Sequence, residues 1–316
     1  MALDPVLQQL LDQIPAAPTG ELDIPALRGM SAALLAMAYG PEGPAPVASI
    51  ENIALTTPDS TVPLRIYRPV GRPGGTLHYL YGGGWCAGSV ELIEPIARRL
   101  ARDLSMVVVT SGYRLAPEDP FPAGFNDATA AASWVLAHSG ELGGSDRPVV
   151  IGGESAGANL AAAIAIELRD HAATREFDAQ LLFFPAVDLR GTAAAYPSRH
   201  ANADPALRNE VLPELFKLYA AGHDLADPRI SPAAADNLAL LPSAVIVVLS
   251  VDPLRDEAVA YADALQDAGV AVELIEYDHL VHGFTGLTAL VPAAKQATDS
   301  VVDRLKALLA RATPKA

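Results

Sequence analysis

The fold is decided by the stretch VVIGGESAGANLAAAIAIELRD, which covers residues 149–170. An apolar run ends at Gly152 and an alanine-rich run begins at Ala156, which predicts a strand, a tight turn and a helix. The turn contains the pattern Gly-x-Ser-x-Gly. In this context the pattern predicts that Ser155 exposes its hydroxyl, as a nucleophile, at the carboxyl end of a sheet. The alternative is an ordinary serine in a glycine-rich turn.

Strands and helices alternate outward from this stretch. Residues 49–56 and 62–67 predict a hairpin. Further strands are predicted at residues 76–80, 106–110, 149–152, 181–186, 244–249 and 272–277, and helices at residues 125–137, 156–170, 256–268 and 292–309. Such alternation is typical of a mostly parallel sheet with helices on both faces. We therefore predict an α/β fold.

Two regions depart from the alternation. Residues 5–13 and 25–39 have apolar side chains at helical spacing and precede the first predicted strand. Residues 190–240 are rich in Ala, Pro and Asp, with one helix predicted near 211–221. We interpret the second region as an insertion that lies over one end of the sheet.

Composition limits the classes of function. The chain has 316 residues, of which 51% are hydrophobic and 19% charged, so a large folded core is expected. Its net charge of −15 disfavours nucleic acid as a partner. No apolar run reaches the roughly 18 residues of a membrane-spanning helix. A single cysteine, Cys86, and an N-terminus without signal-peptide features indicate a cytoplasmic protein.

A serine nucleophile requires a base within hydrogen-bond reach. His282 follows the last predicted strand, so its loop returns to the carboxyl end of the sheet, where Ser155 is expected. His279 is the nearest competitor, but it lacks a following glycine such as Gly283, which would let the loop turn the ring inward. We therefore predict His282 as the base.

The base in turn needs a carboxylate that orients it. Asp252 follows the strand predicted at 244–249, at the same edge of the sheet. Asp256 and Glu257 are alternatives, but they fall in the next helix, where acidic residues are common in the first turn. Asp252 also suits the start of that helix, since Pro253 follows it, and both roles are compatible.

An oxyanion requires backbone N–H donors. The segment YGGGW at residues 81–85 follows a predicted strand, and its glycines allow the backbone to approach a reacting carbonyl. We assign the oxyanion hole to the N–H groups of Gly83, Gly84 and Ala156. A phosphate-binding loop is the alternative, but none of the accompanying phosphate-loop patterns occurs.

Residues near these motifs are candidates for the pocket. Trp85 and Phe284 are expected to line it, although either would also suit the core. Cys86 is either a reactive thiol or a small buried apolar residue, and we favour the buried residue because no histidine is adjacent in sequence.

In combination, these motifs resemble the hormone-sensitive-lipase-like branch of the α/β-hydrolase esterases. The resemblance covers residues 45–310 and includes three further stretches. These are YRLAPE at residues 113–118, FPA at 121–123 and DPRISP at 227–232. Three positions depart from the pattern, since Tyr81 stands where histidine is usual, and Glu154 and Gly112 stand where aspartate is commoner. Tyr81 is retained as a candidate substrate-binding residue.

The resemblance implies an α/β-hydrolase fold with a helical cap. Residues 1–45 and the insertion 190–225 would form the cap, and residues 46–189 and 226–316 the core. It also implies hydrolysis of short- to medium-chain carboxylic esters without a metal or cofactor, often by a homodimer. An amidase, a deacetylase or an acyltransferase would use the same residues, and a ligand receptor on an inactive scaffold is a further alternative.

Overall fold

The sheet is formed by eight strands within the residues that the computed structural model describes, which are 2–13, 22–29, 38–171, 175–191 and 194–311. The strands are β1 (Ser49–Thr56), β2 (Thr61–Arg68), β3 (Thr76–Leu80), β4 (Val107–Ser111), β5 (Val149–Glu154), β6 (Ala179–Phe183), β7 (Ser243–Leu249) and β8 (Val272–Tyr277). Their spatial order is β1-β2-β4-β3-β5-β6-β7-β8. Pairing is antiparallel from β1 to β4 and parallel from there to β8.

Helices cover both faces of this sheet. They are α1 (Pro5–Leu11), α2 (Glu94–Leu104), α3 (Ala123–Ala137), α4 (Ser139–Leu142), α5 (Ala156–Asp170), α6 (Ser198–Ala201), α7 (Leu212–Ala220), α8 (Arg255–Asp267) and α9 (Pro292–Arg311). Helix α2 packs with α9, and α3 packs with α5. The α/β-hydrolase fold predicted from the sequence is confirmed.

Burial explains why the central strands were readable in the sequence. Every residue of β3, β4 and β6 is buried, so these strands are nearly continuous apolar runs. The edge strands β1 and β8 contain no fully buried residue. Parallel strands point their carboxyl ends to one edge, so the loops after β5, β7 and β8 meet there.

The structure also differs from the sequence-based prediction. Helix α2 was not predicted, because its charged side chains mask an apolar stripe of Ile96, Leu100 and Leu104. Strand β6 ends at Phe183 and not at residue 186, since Phe184 has a φ of 38° and turns the chain away from the sheet. The helix predicted at 25–39 is helical at residues 24–29, and residues 30–37 lie outside the described part.

The segment 22–29 is joined to the core by apolar packing and by the polar contacts of Arg28. The Arg28 guanidinium donates to the carbonyl oxygens of Cys86 and Ala116 and forms a two-pronged ion pair with Glu118. The insertion predicted from the sequence, residues 190–225, has a similar polar connection, in which Arg199 of α6 pairs with the buried Glu257 of α8. The N-terminal segment and the insertion thus contact the same edge of the sheet as the predicted site.

Candidate active site

Ser155 lies on a strained turn between β5 and α5. Its φ of 52° and ψ of −120° are rare for a residue with a side chain. A Cβ at Gly157 would collide with the carbonyl oxygens of Leu80 and Tyr81, and one at Gly153 would lie 2.6 Å from the Leu80 oxygen. The small residues on either side are therefore what allow the sharp turn that raises the serine above the sheet edge.

Three side chains form a row at this edge. The His282 Nε2 atom lies 2.9 Å from Ser155 Oγ, and His282 Nδ1 lies 2.7 Å from Asp252 Oδ2. Asp252 is 1% exposed, and its other carboxylate oxygen accepts a hydrogen bond from the Leu254 N–H at the start of α8. Asp252 therefore holds both the imidazole and the helix terminus, as the sequence suggested.

The competing residues are engaged elsewhere. His279 is exposed, and its Nδ1 lies 2.9 Å from the neighbouring Asp278. Asp256 accepts a hydrogen bond from the Ser198 backbone, and Glu257 accepts hydrogen bonds from the Val187 and Asp188 backbones. Burial raises the pKa of Glu257 to about 7, against the opposing charge of its ion-pair partner.

Electrostatics at the row favour a protonatable imidazole. Burial alone would lower the pKa of His282, but the charge and hydrogen bond of Asp252 outweigh burial and raise this pKa above its ordinary value. The charges of Asp204 and Glu154 act in the same direction. A base whose conjugate acid is stabilised in this way can both take and return a proton near neutral pH.

Asp204 was not foreseen from the sequence. It lies in the predicted insertion and is 3% exposed, and its Oδ2 accepts a hydrogen bond of 2.7 Å from the backbone N–H of His282. Its Oδ1 accepts from the N–H groups of Ala206 and Leu207. Burial and the nearby charge of Asp252 raise the pKa of Asp204 to about 6.

Glu154 has partners behind the nucleophile. Its Oε2 accepts a hydrogen bond of 2.5 Å from Thr285 Oγ1, in the turn that follows His282, and a longer one from the Tyr79 hydroxyl. Burial raises the pKa of Glu154, and these hydrogen bonds oppose the rise. Glu154 thus connects the strand that carries Ser155 to the loop that carries the imidazole.

The glycine loop after β3 is held by a pair of tyrosines. The rings of Tyr81 and Tyr113 are stacked with centroids 4.3 Å apart. The Tyr81 hydroxyl donates to the Tyr113 carbonyl and accepts from the Tyr113 N–H, and the Tyr113 hydroxyl donates to the Tyr81 carbonyl. Both side chains are buried, so they position the loop from behind.

The candidate oxyanion donors lie on either side of Ser155. Gly83 and Gly84 have φ values of 121° and 60°, which a residue with a side chain adopts only at a cost. Ala156 begins α5, so its N–H has no acceptor within the helix. Within the described residues, the N–H groups of these three residues form no hydrogen bond. They remain available to a ligand.

A cavity of about 250 Å³ opens onto Ser155 and His282. Most of its wall is apolar. The lining residues are Leu22, Asp23, Ala26, Leu27, Gly83, Gly84, Trp85, Ser155, Ala186, Pro205, Ala206, Leu207, Arg208, Val211, Leu212, Leu215, Phe216, Leu254 and His282. The N-terminal segment, the predicted insertion and the glycine loop therefore each contribute to one pocket.

Of the three residues predicted to contact the substrate, one lies on the cavity wall and two lie in the core. Trp85 lies on the wall, where it stacks on Tyr219 with ring centroids 4.5 Å apart. Tyr81 and Phe284 are absent from the lining, because Tyr81 turns toward Tyr113 and Phe284 is fully buried beneath the imidazole loop. Both support the site from the core. Cys86 is fully buried, and burial raises the pKa of its thiol to about 12, which makes it a weak nucleophile.

The three further stretches of the sequence resemblance form contacts with buried side chains. Arg114 of YRLAPE donates both its backbone N–H and its guanidinium to the buried Asp127. Arg229 of DPRISP lies over the ring of Phe121 of FPA, 5.3 Å from its centroid. These motifs therefore brace the loops around the cavity and do not line it.

Comparison with known proteins agrees with this geometry. A family described by the alpha/beta hydrolase fold matches residues 77–286. Carboxylesterase NlhH of Mycobacterium tuberculosis is 36% identical over 97% of this chain and 96% of its own length. An ethyl acetate hydrolase of Pseudomonas putida is 33% identical over 81% of this chain and 82% of its own length.

A similar structure is that of the hyperthermophilic esterase of Pyrobaculum calidifontis. It is 33% identical, with a TM-score of 0.86 over 98% of this chain and 99% of that protein. Family match, sequence identity and backbone similarity all extend over the strands and loops that build the site. The chain therefore belongs to the α/β-hydrolase family, in the hormone-sensitive-lipase-like group of carboxylesterases that its motifs resemble.

Proposed function

We propose that this protein is a serine carboxylesterase that hydrolyses short- to medium-chain carboxylic esters through an acyl-enzyme on Ser155. The observation that carries the proposal is the row in which His282 lies 2.9 Å from Ser155 and 2.7 Å from Asp252. The similarity to proteins named carboxylesterase and ethyl acetate hydrolase supports an ester as the substrate.

In the first half-reaction, Ser155 Oγ forms a bond to the ester carbonyl carbon while His282 Nε2 takes the hydroxyl proton. The resulting oxyanion accepts hydrogen bonds from the N–H groups of Gly83, Gly84 and Ala156. The imidazolium then protonates the leaving alkoxide, the carbon–oxygen bond breaks, and the alcohol departs. The Asp252 carboxylate stabilises the imidazolium throughout.

In the second half-reaction, water takes the place of the alcohol. His282 removes a proton from the water, whose oxygen attacks the acyl carbon, and the same N–H groups stabilise the second oxyanion. The proton then returns to Ser155 Oγ as the ester bond to the enzyme breaks. The products are a carboxylic acid and the free enzyme, and each proton taken by the imidazole is given back.

The cavity supports the proposed size of the substrate. Its volume of about 250 Å³ is below the roughly 300–1,000 Å³ typical of pockets for drug-sized ligands. Its apolar wall, which includes Leu212, Leu215 and Phe216, favours an alkyl chain. Because these residues belong to the insertion, we propose residues 1–45 and 190–225 as a cap that limits acyl length over the core of residues 46–189 and 226–316.

Two wider properties are also proposals. Within the described residues, no helix combines the length and apolar character needed to cross a bilayer. We propose a cytoplasmic location, on the strength of the single cysteine, and a homodimer, on the strength of the family resemblance. No metal or cofactor enters the proposed steps.

The test combines Ser155→Ala with a short-chain aryl ester and a fluorophosphonate probe. We expect the variant to lose at least about 10⁴-fold in kcat while its thermal unfolding stays unchanged, because the serine supplies the nucleophile that forms the acyl-enzyme. The probe should label Ser155 in the wild-type protein alone. Full activity in the variant would reject the proposal, and an unlabelled wild-type protein would favour a receptor. Matched ester and amide substrates separate an esterase from an amidase.

A further inference from the structure

Within the described residues, one charged side chain of the cavity wall has no partner. Arg208 lines the pocket beside Leu207 and Val211 and is half-buried. Within the part of the chain that the structure describes, its guanidinium forms no hydrogen bond and no ion pair. Two other arginines of the same region are paired, Arg190 with Asp188 and Arg199 with Glu257.

The backbone around Arg208 is fixed. Asp204 accepts hydrogen bonds from the N–H groups of Ala206 and Leu207, and the Arg208 carbonyl accepts from the N–H of Val211. Asp204 is itself bound to the backbone of His282. The unpaired cation is therefore held by a loop that is connected directly to the proposed base.

The acidic residue on the cavity wall forms no ion pair with this cation among the described residues. Asp23 lines the cavity, but its carboxylate accepts a hydrogen bond from the Ala26 N–H at the start of a helical turn. No ion pair joins it to Arg208 among the described residues. Apart from the reacting groups, the rest of the wall consists of apolar residues and glycine. The unpaired guanidinium of a half-buried arginine beside an apolar surface gains from binding an anion, because the surrounding apolar side chains limit its hydration.

We propose that Arg208 binds a carboxylate of the substrate, so that the preferred substrates are esters that carry a second, free carboxylate. Monoesters of short dicarboxylic acids are the simplest members of this class. The planar guanidinium matches a carboxylate with two parallel hydrogen bonds, and a short spacer fits the small cavity. This inference rests on the proposed function, since it names the substrate class of the same site.

The test compares two matched pairs of esters by titration of the released acid. Monoethyl glutarate and ethyl pentanoate differ by a carboxylate in place of a methyl group on the acyl side, and acetylglycolate and ethyl acetate differ in the same way on the alcohol side. For each pair, the measured quantity is kcat/KM for the anionic ester divided by kcat/KM for the neutral ester. We expect Arg208→Gln to lower this ratio by roughly tenfold or more in one of the two pairs. Arg208→Lys should retain part of the selectivity, because lysine keeps the charge but not the fork. The pair whose ratio falls shows whether Arg208 binds a carboxylate on the acyl side or on the alcohol side of the ester.

A matched control separates local binding from net charge. Arg72 is exposed, forms no described ion pair and precedes β3, at the opposite edge of the sheet from the site. Arg72→Gln changes the net charge equally and should leave both ratios unchanged. Unchanged ratios in Arg208→Gln, or equal losses on both members of each pair, would overturn the inference. If the wild-type protein cleaves neutral esters as well as anionic ones, only the inference is wrong. If the wild-type protein cleaves no ester, the proposed function is wrong as well.

Discussion

The carboxyl edge of the sheet and the insertion at residues 190–225 are built in different ways. At the sheet edge, Ser155 and Asp252 follow buried parallel strands whose hydrophobic packing sets their positions. The insertion has short helices, packs Phe216 and Tyr219 against Trp85, and is anchored to the loops of the site through polar contacts. Asn202 donates to the carbonyl oxygens of Ser250 and Asp252, and Ser198 donates to the carbonyl oxygen of Pro253.

These contacts reach the functional loops and not the body of the sheet. The segment after β7 carries Asp252, and the loop after β8 carries His282, which is bound by Asp204 of the insertion. Hydrogen bonds therefore connect the insertion, which forms part of the cavity wall, to the two loops that carry Asp252 and His282. A change in the insertion should therefore affect the proposed chemistry, and not only the fit of the substrate.

The largest effect is expected at the sheet edge. Asp252→Asn keeps the size of the side chain but removes the charge that stabilises the imidazolium and selects its tautomer. We expect kcat to fall by about 10⁴-fold with a short-chain ester, while KM changes little. Steady-state kinetics on the purified variant measure both values.

Asp256→Asn is the matched control, since Asp256 is the neighbouring carboxylate that binds the Ser198 backbone and not the imidazole. Its kcat should stay close to that of the wild-type protein. A large loss in Asp256→Asn with a small loss in Asp252→Asn would reverse the assignment of the orienting acid.

An intermediate effect is expected where the two regions meet. The pKa of His282 is raised in part by Asp204, so the acid limb of kcat/KM against pH should lie above the ordinary histidine value of about 6.5. Asp204→Asn removes a negative charge and lowers this pKa, so the limb should move to lower pH. Loss of a charged acceptor for the His282 N–H should also reduce the plateau by roughly tenfold.

Asp224→Asn provides the comparison for this shift. Asp224 also lies in the insertion and accepts a hydrogen bond from a backbone N–H, that of Ala226, but it has no contact with His282. Its pH profile should coincide with that of the wild-type protein. An unshifted limb in Asp204→Asn would mean that the insertion does not act on the base.

The same comparison shows what the sequence could predict. The turn at Ser155, the order of the three functional residues and nearly all strands were predictable, because each depends on a local motif or a short apolar run. Asp204 was not, since it lies 78 residues from His282 in a loop without periodic pattern. The cavity wall was only partly predictable for the same reason. Arg208 and Leu215 carry no motif, and only tertiary packing brings them to Ser155.

The smallest effect is expected behind the glycine loop, at Tyr81. This residue was predicted to contact substrate, but its hydroxyl binds the backbone of Tyr113, 32 residues away. Tyr81→Phe should lower the free energy of unfolding by about 1–3 kcal/mol, because the buried Tyr113 N–H loses its acceptor. Denaturant unfolding measures this loss. Tyr261→Phe is the control, since the buried Tyr261 hydroxyl has no partner within the described residues and its removal should cost nothing. Equal stabilities of the two variants, with a changed preference for the alcohol group in Tyr81→Phe alone, would instead place Tyr81 in contact with substrate.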